Sequence, residues 1–74
     1  MTQVHFYDQT CVHVDGYKNI IRFDTEQVML RCPKQILEIY GQSLRIASFH
    51  DTEILVQGKI EGVRWISEGA MVHG

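Results

Sequence analysis

Three observations predict an all-β fold. Apolar residues alternate strictly over short runs, glycines and acidic turn residues separate those runs, and no segment shows the i, i+3, i+4, i+7 spacing of an amphipathic helix. The architecture expected is six to seven short, mostly antiparallel strands in a small sandwich or half-open barrel. A stacked, solenoid-like pile of repeats is the alternative. The stretch that organises the rest is Ile36–Ile46, ILEIYGQSLRI, where Leu37, Ile39, Leu44 and Ile46 alternate on either side of Gly41. It reads as two strands meeting at a glycine turn. The same grammar recurs at Val12-His-Val14-Asp-Gly16 and at Ile54-Leu-Val56-Gln-Gly58.

Taken in order, Met1–Thr10 alternates weakly at Val4 and Phe6 and reads as a short strand or ordered tail. Cys11–Asp15 alternates cleanly up to Gly16, a residue that permits a turn at positive φ. Ile20–Phe23 is the returning strand. Asp24-Thr25-Glu26 supplies an Asp able to bond the backbone two residues on, a turn leading into Gln27–Cys32, where Val28 and Leu30 face the core. Pro33-Lys34 ends that strand, because proline offers no N–H to a ladder. Ile36–Tyr40, Leu44–Phe49, a turn at His50–Thr52 and Glu53–Gln57 follow. Ile60 and the pair Val63, Trp65 have opposite parity, so a bulge at Gly62 is needed to bring them to one face. Ser67–Gly74 has no alternation and is expected to fray.

An internal echo aligns Val12–Leu30 with Leu37–Val56, which would make two three-stranded pseudo-repeats covering one another. Short alternating strands joined by Gly and Asp turns also resemble one another without duplication. By parity the core is Val12, Val14, Leu37, Ile39, Leu44, Ile46, Ile54 and Val56. The opposite face carries Met29, Ile36, Tyr40, Ala47, Phe49 and Leu55 among charged residues, more apolar area than a small monomer shows to water. Met29, Ile36, Tyr40, Phe49 and Leu55 are the candidate interface residues, for a second copy or another protein.

At 74 residues the chain is one domain, residues 1–74, with a core over 11–66 and a tail over 67–74. Seven Lys+Arg against nine Asp+Glu give a net charge of −2, which argues against nonspecific nucleic-acid binding. No apolar run approaches the roughly 20 residues that cross a bilayer, and no basic amphipathic helix suits its surface, so no direct membrane insertion is expected. Nothing at the N-terminus reads as a signal peptide, so a cytoplasmic, reducing setting is expected. Cys11 and Cys32 are then free thiols, although neighbouring strands could pair them.

The search for chemistry finds little. HExxH, paired CxxC, GxSxG and glycine-rich phosphate loops are all missing from the sequence. Cys11 and His13 on one side of a strand could begin a zinc site with Cys32 and His50, but structural zinc sites announce themselves with closely spaced pairs. As a nucleophile and base, Cys11 and His13 lack an orienting acid and an oxyanion donor. Asp24/Glu26 and Asp51/Glu53 read as solvated turn acids. Tyr17, Arg22, Arg45, Arg64 and Trp65 could stack around an anion, yet a Trp ending a core strand more often packs. No catalytic residue, cofactor or metal is assigned, and an enzyme is not expected.

One resemblance sharpens this. Val14-Asp-Gly16-Tyr-Lys-Asn-Ile20, Phe23-Asp24-Thr25-Glu26-Gln-Val28, Leu37-Glu-Ile39-Tyr-Gly41-Gln-Ser-Leu44-Arg-Ile46, Val56-Gln-Gly58-Lys-Ile60 and Val63-Arg-Trp65 follow one another in a familiar order. In that order and spacing the chain resembles the YabP/YqfC family of small bacterial sporulation proteins, from about Val12 to Trp65. Trp65 stands where the family usually has tyrosine, and Pro33-Lys34 where a Gly-containing turn is common. The resemblance implies a non-enzymatic protein of the mother cell of an endospore-forming bacterium, acting in spore maturation. Its role there would be structural, through self-association or other sporulation proteins. The alternative is an Sm-like small β-barrel that binds RNA, whose first motif Val12–Leu30 faintly resembles. The acidic charge and the lack of an arginine-glycine signature in the second half speak against it.

Overall fold

The computed structural model describes residues 2–67. They form β1 (Gln3–Tyr7), β2 (Cys11–Asp15), β3 (Asn19–Phe23), β4 (Gln27–Arg31), β5 (Gln35–His50) and β6 (Glu53–Ser67). All pairings are antiparallel and build one six-stranded sheet in the order β1-β2-β6-β5-β4-β3. The all-β prediction holds. Of the expected tail, Ser67 closes β6 opposite Gln35, and the remainder lies outside the described residues.

The two central strands correct the expectation that every strand is short. β5 spans 16 residues and β6 spans 15. Gly41 is not a turn between two strands, because β5 runs through it and bends, breaking register between Tyr40 and Gly41 and again between Gln42 and Arg45. Gly58 likewise lies inside β6, at φ 141°. β5 turns back into β6 at Asp51-Thr52, with Asp51 in the left-handed region at φ 53°.

Sterics explain why these two sites are glycine. A Cβ on Gly41 would land on the carbonyl oxygen of Lys59, and one on Gly58 would sit 2.5 Å from that of Ser43. The two arms therefore meet in near backbone contact at their bends, which only a residue without a side chain allows. Neighbouring hairpins lock the bends. Gly58 and Ile60 donate their N–H groups to the Thr10 and Gln9 carbonyls at 3.0 and 2.9 Å, while Gly41 and Leu44 donate to Glu26 and Thr25 at 3.1 and 2.8 Å.

That repetition runs through the whole molecule. Val12 and Val14 of β2 pair with Val56 and Ile54 of β6, and in the same way Val28 and Leu30 of β4 pair with Ile39 and Leu37 of β5. The β1–β2 hairpin thus docks on the tip half of β5–β6 as the β3–β4 hairpin docks on its open half. The three-stranded pseudo-repeats expected from sequence do not form. Ile20–Phe23 returns to β4 rather than β2, and β2 and β3 are not neighbours in the sheet. Between them, Gly16 N–H reaches Thr52 O and Lys18 N–H reaches Arg31 O, each at 2.7 Å, with Tyr17 buried in the core.

The core is the one the alternation assigned. Val12, Val14, Val28, Leu30, Leu37, Ile39, Leu44, Ile54 and Val56 are fully buried, with Ile46 packed against them. Tyr17, Cys32, Ile36 and Ile60 add to it. The bulge expected at Gly62 lies beside it. Tyr40 faces Gly62 and Gly41 faces Ile60, so Glu61 is left over and Val63 joins Ile60 on the inner side.

Gly41→Ala is expected to cost roughly 2–3 kcal/mol through overpacking against backbone that cannot retreat. Lys34→Ala, in an exposed turn, should stay within about 0.5 kcal/mol. Urea denaturation midpoints compare the two directly.

Candidate functional site

The five candidate interface residues do not form one patch. Met29 lies half-buried on β4, opposite Arg22 and Glu38. Ile36 corrects the expectation outright, for it is only 3 % exposed, between Arg31 on β4 and Ile66 on β6. Tyr40 is half-buried, its ring lying over Gly62 and the Arg64 guanidinium 4.9 Å above the ring centre. Leu55 sits on the outer face of the other half, opposite His13 and Ser48. Phe49 changes faces altogether. A register break between Ile46 and Ser48 leaves Ala47 over, which reverses the parity and sets Phe49 opposite the core residue Ile54.

What sequence parity presented as an apolar outer face is laced with polar contacts. Glu38 is 6 % exposed and takes hydrogen bonds from the Gln27 amide and the Arg64 guanidinium. A buried carboxylate is tolerated when its oxygens are satisfied in this way. Arg64 thereby clamps Glu38 on one side and covers Tyr40 on the other.

The exposed apolar surface lies elsewhere, on the rims of the core. Phe6 pairs with Val12, Phe23 with Val28, Phe49 with Ile54 and Trp65 with Leu37, so all four aromatics share the face of a fully buried residue. Each sits on an edge segment of the sheet, where no further strand of the described residues covers it, and they are 52, 46, 69 and 46 % exposed. They form two equivalent pairs under the internal repetition: Phe6 with Phe23, and Phe49 with Trp65. Trp65 also walls a cleft of about 430 Å³ with Thr2, Cys32, Pro33, Lys34 and Gln35. Sequence reasoning missed Phe6, Phe23 and Trp65 as surface. Parity places them inward, and only the pairing shows that their segments lie at the edges of the sheet.

The chemical candidates remain apart. Cys11 and His13 are half-buried on β2, Cys32 is buried, and His50 is exposed at the hairpin tip, 3.6 Å from Asp51. His13 Nε2 lies 2.9 Å from Glu53 Oε1, and its ring centre is 5.9 Å from that of His5. Among the described residues, no group of three or more His, Cys, Asp or Glu is arranged to hold a metal ion. The anion stack does not assemble either, since Tyr17 is in the core, Arg45 bonds Gln57 at 2.8 Å and Arg64 is taken by Glu38. Asp24 caps its turn. The Glu26 N–H, 2.8 Å away, holds its carboxyl below the ordinary range. Cys11 and Cys32 are both free thiols, and burial pushes the Cys32 thiol up. Among the described residues, no helix is long and apolar enough to cross a membrane.

The family model for YabP matches residues 1–71. The chain belongs to the YabP family. The match extends the resemblance read from Val12–Trp65 over the first hairpin strand as well, and YabP membership supports a sporulation-related protein. No curated protein and no solved structure matches.

Two measurements follow from this geometry. Arg64→Ala, which leaves the Glu38 carboxylate without its cation, should cost about 1–3 kcal/mol, and adding Glu38→Gln should recover part of that in a double-mutant cycle. In native protein a thiol reagent should label Cys11 well before Cys32, because the reactive species is the thiolate and burial suppresses it at Cys32. Equal rates would mean that the β2–β4 core opens readily.

Proposed function

We propose that this YabP-family protein is a non-enzymatic module of spore maturation that works by association, with itself or with other sporulation proteins. The observation that carries the reading is the set of half-exposed aromatics on the sheet edges. Phe6, Phe23, Phe49 and Trp65 continue the buried core outward to segments that, among the described residues, have no further strand beside them. Apolar side chains beside open edges are what strand addition and rim packing by a partner would cover. Several of the chain's ionisable groups serve the fold instead, His13 beside Glu53, Arg22 beside Asp24 and Arg64 beside the buried Glu38. The setting is the mother-cell cytoplasm, on the strength of the family.

The test is the solution mass of the purified chain across a concentration series, by size exclusion with light scattering. Association should raise the mass above the 8.6 kDa of one chain. Phe49→Asp should reduce association with proteins recovered from sporulating cells while leaving the β circular dichroism unchanged, because Phe49 is the most exposed of the rim aromatics. Loss of the β signal would make Phe49 structural. Retention of RNA at low salt by a chain that remains monomeric would favour the Sm-like reading instead.

A further inference from the structure

Among the described residues the sheet has four open edges: β1, β3, residues 45–50 of β5 and residues 61–67 of β6. Proteins block such edges with bulges, charges or proline, because an unblocked edge is a template for another strand. Three of the four are blocked. β3 breaks register between Ile20 and Arg22 and carries Arg22. The β5 segment breaks register between Ile46 and Ser48 and carries Arg45. The β6 segment begins at the Glu61 bulge and carries Arg64.

β1 has no such defence. Its ladder with β2 runs unbroken from Gln3–Asp15 to Tyr7–Cys11, and QVHFY contains no proline, lysine, arginine or acid. It also carries exposed apolar area of its own, Phe6 at 52 % and Tyr7 at 55 %.

We infer that β1 is the edge through which the protein pairs with a second copy of itself, antiparallel and about a two-fold axis at His5. The strand is self-complementary in that register. Five residues, Gln3–Tyr7, overlap fully only when His5 faces His5 of the second copy. Val4 then faces Phe6 of the second copy, and Phe6 its Val4, so the inner face gains two aromatic–β-branched pairs, a favoured cross-strand combination. Gln3 faces Tyr7. No lysine, arginine or carboxylate meets its like, and the half-exposed Phe6 is covered. A two-fold axis requires one surface to fit itself, and this strand meets that requirement. The result is a continuous sheet crossing both copies through β2 and β1 of each. The inference deepens the association reading and rests on it by naming its edge and its partner.

The experiment uses the full chain and two variants at His5, an exposed residue whose cross-strand partner is His13. His5→Lys sets two ammonium groups face to face across the axis and should weaken the dimer at least about tenfold, with the β signal unchanged. His5→Cys should form a disulfide-linked dimer on mild oxidation, because a directly facing pair brings its Cβ atoms within bonding range. Asn19→Cys on the β3 edge, with the same native Cys11 and Cys32, should not. A dimer that persists in His5→Lys, or equal cross-linking of the two cysteine variants, overturns the β1 edge while the association reading stands. A wild-type chain that stays monomeric at high concentration overturns the β1 edge, and one that also captures no protein from sporulating cells overturns the association reading.

Discussion

Everything in this fold depends on two arms of one hairpin touching backbone to backbone where they bend. Gly41 approaches the Lys59 carbonyl and Gly58 approaches that of Ser43, closer than any side chain would permit. The bend turns a hairpin of 16- and 15-residue strands into two half-sheets facing one interior. Hydrophobic burial then does the rest. Residues from both halves, such as Val12 with Val56 and Leu30 with Leu37, enter one cluster that neither half could close alone.

The same constraint shapes the surface. A sheet folded over itself without closing must end somewhere, and it ends on segments whose inward side chains have an open flank. Phe6, Phe23, Phe49 and Trp65 are therefore the outermost members of the core as well as the largest apolar features a partner could meet. The outer faces are less inviting. Tyr40 is covered by Arg64, which also satisfies the buried Glu38, so that face is held together as a structural layer. The association proposed above would use these edges and rims.

How much of this was legible in the sequence follows from what alternation encodes. A period of two records which face a residue takes, and it named the fully buried residues from Val12 to Val56, Val28 and Leu30 among them. It does not record which strand lies beside which. Glycine is ambiguous in the same way, since Gly41 as a hairpin turn and Gly41 as a bend under a neighbouring carbonyl leave the same letter in the chain. Bulges were half-visible. The one beside Gly62 shows itself because Ile60 and Val63 disagree in parity, whereas the extra residue at Ala47 is small and leaves no mark, so alternation alone puts Phe49 on the wrong face. Ile36 sits at the start of a long central strand, and its burial between Arg31 and Ile66 depends on partners far away in sequence. The real internal repetition, Phe6 with Val12 and Val14 against Phe23 with Val28 and Leu30, is present in the letters but needs the pairing to stand out from chance.

The most direct test of the central bend is native-state hydrogen exchange at the amides that lock it, Gly41, Leu44, Gly58 and Ile60, each bonded to a carbonyl of a flanking hairpin turn. If the bends hold the two halves to one core, these four amides exchange only by global unfolding and rank with Leu30 and Val56 among the slowest in the chain. Fast exchange at all four, with slow exchange retained in β2 and β4, would show that the bends are hinges and that the halves are stable without them, contradicting the account.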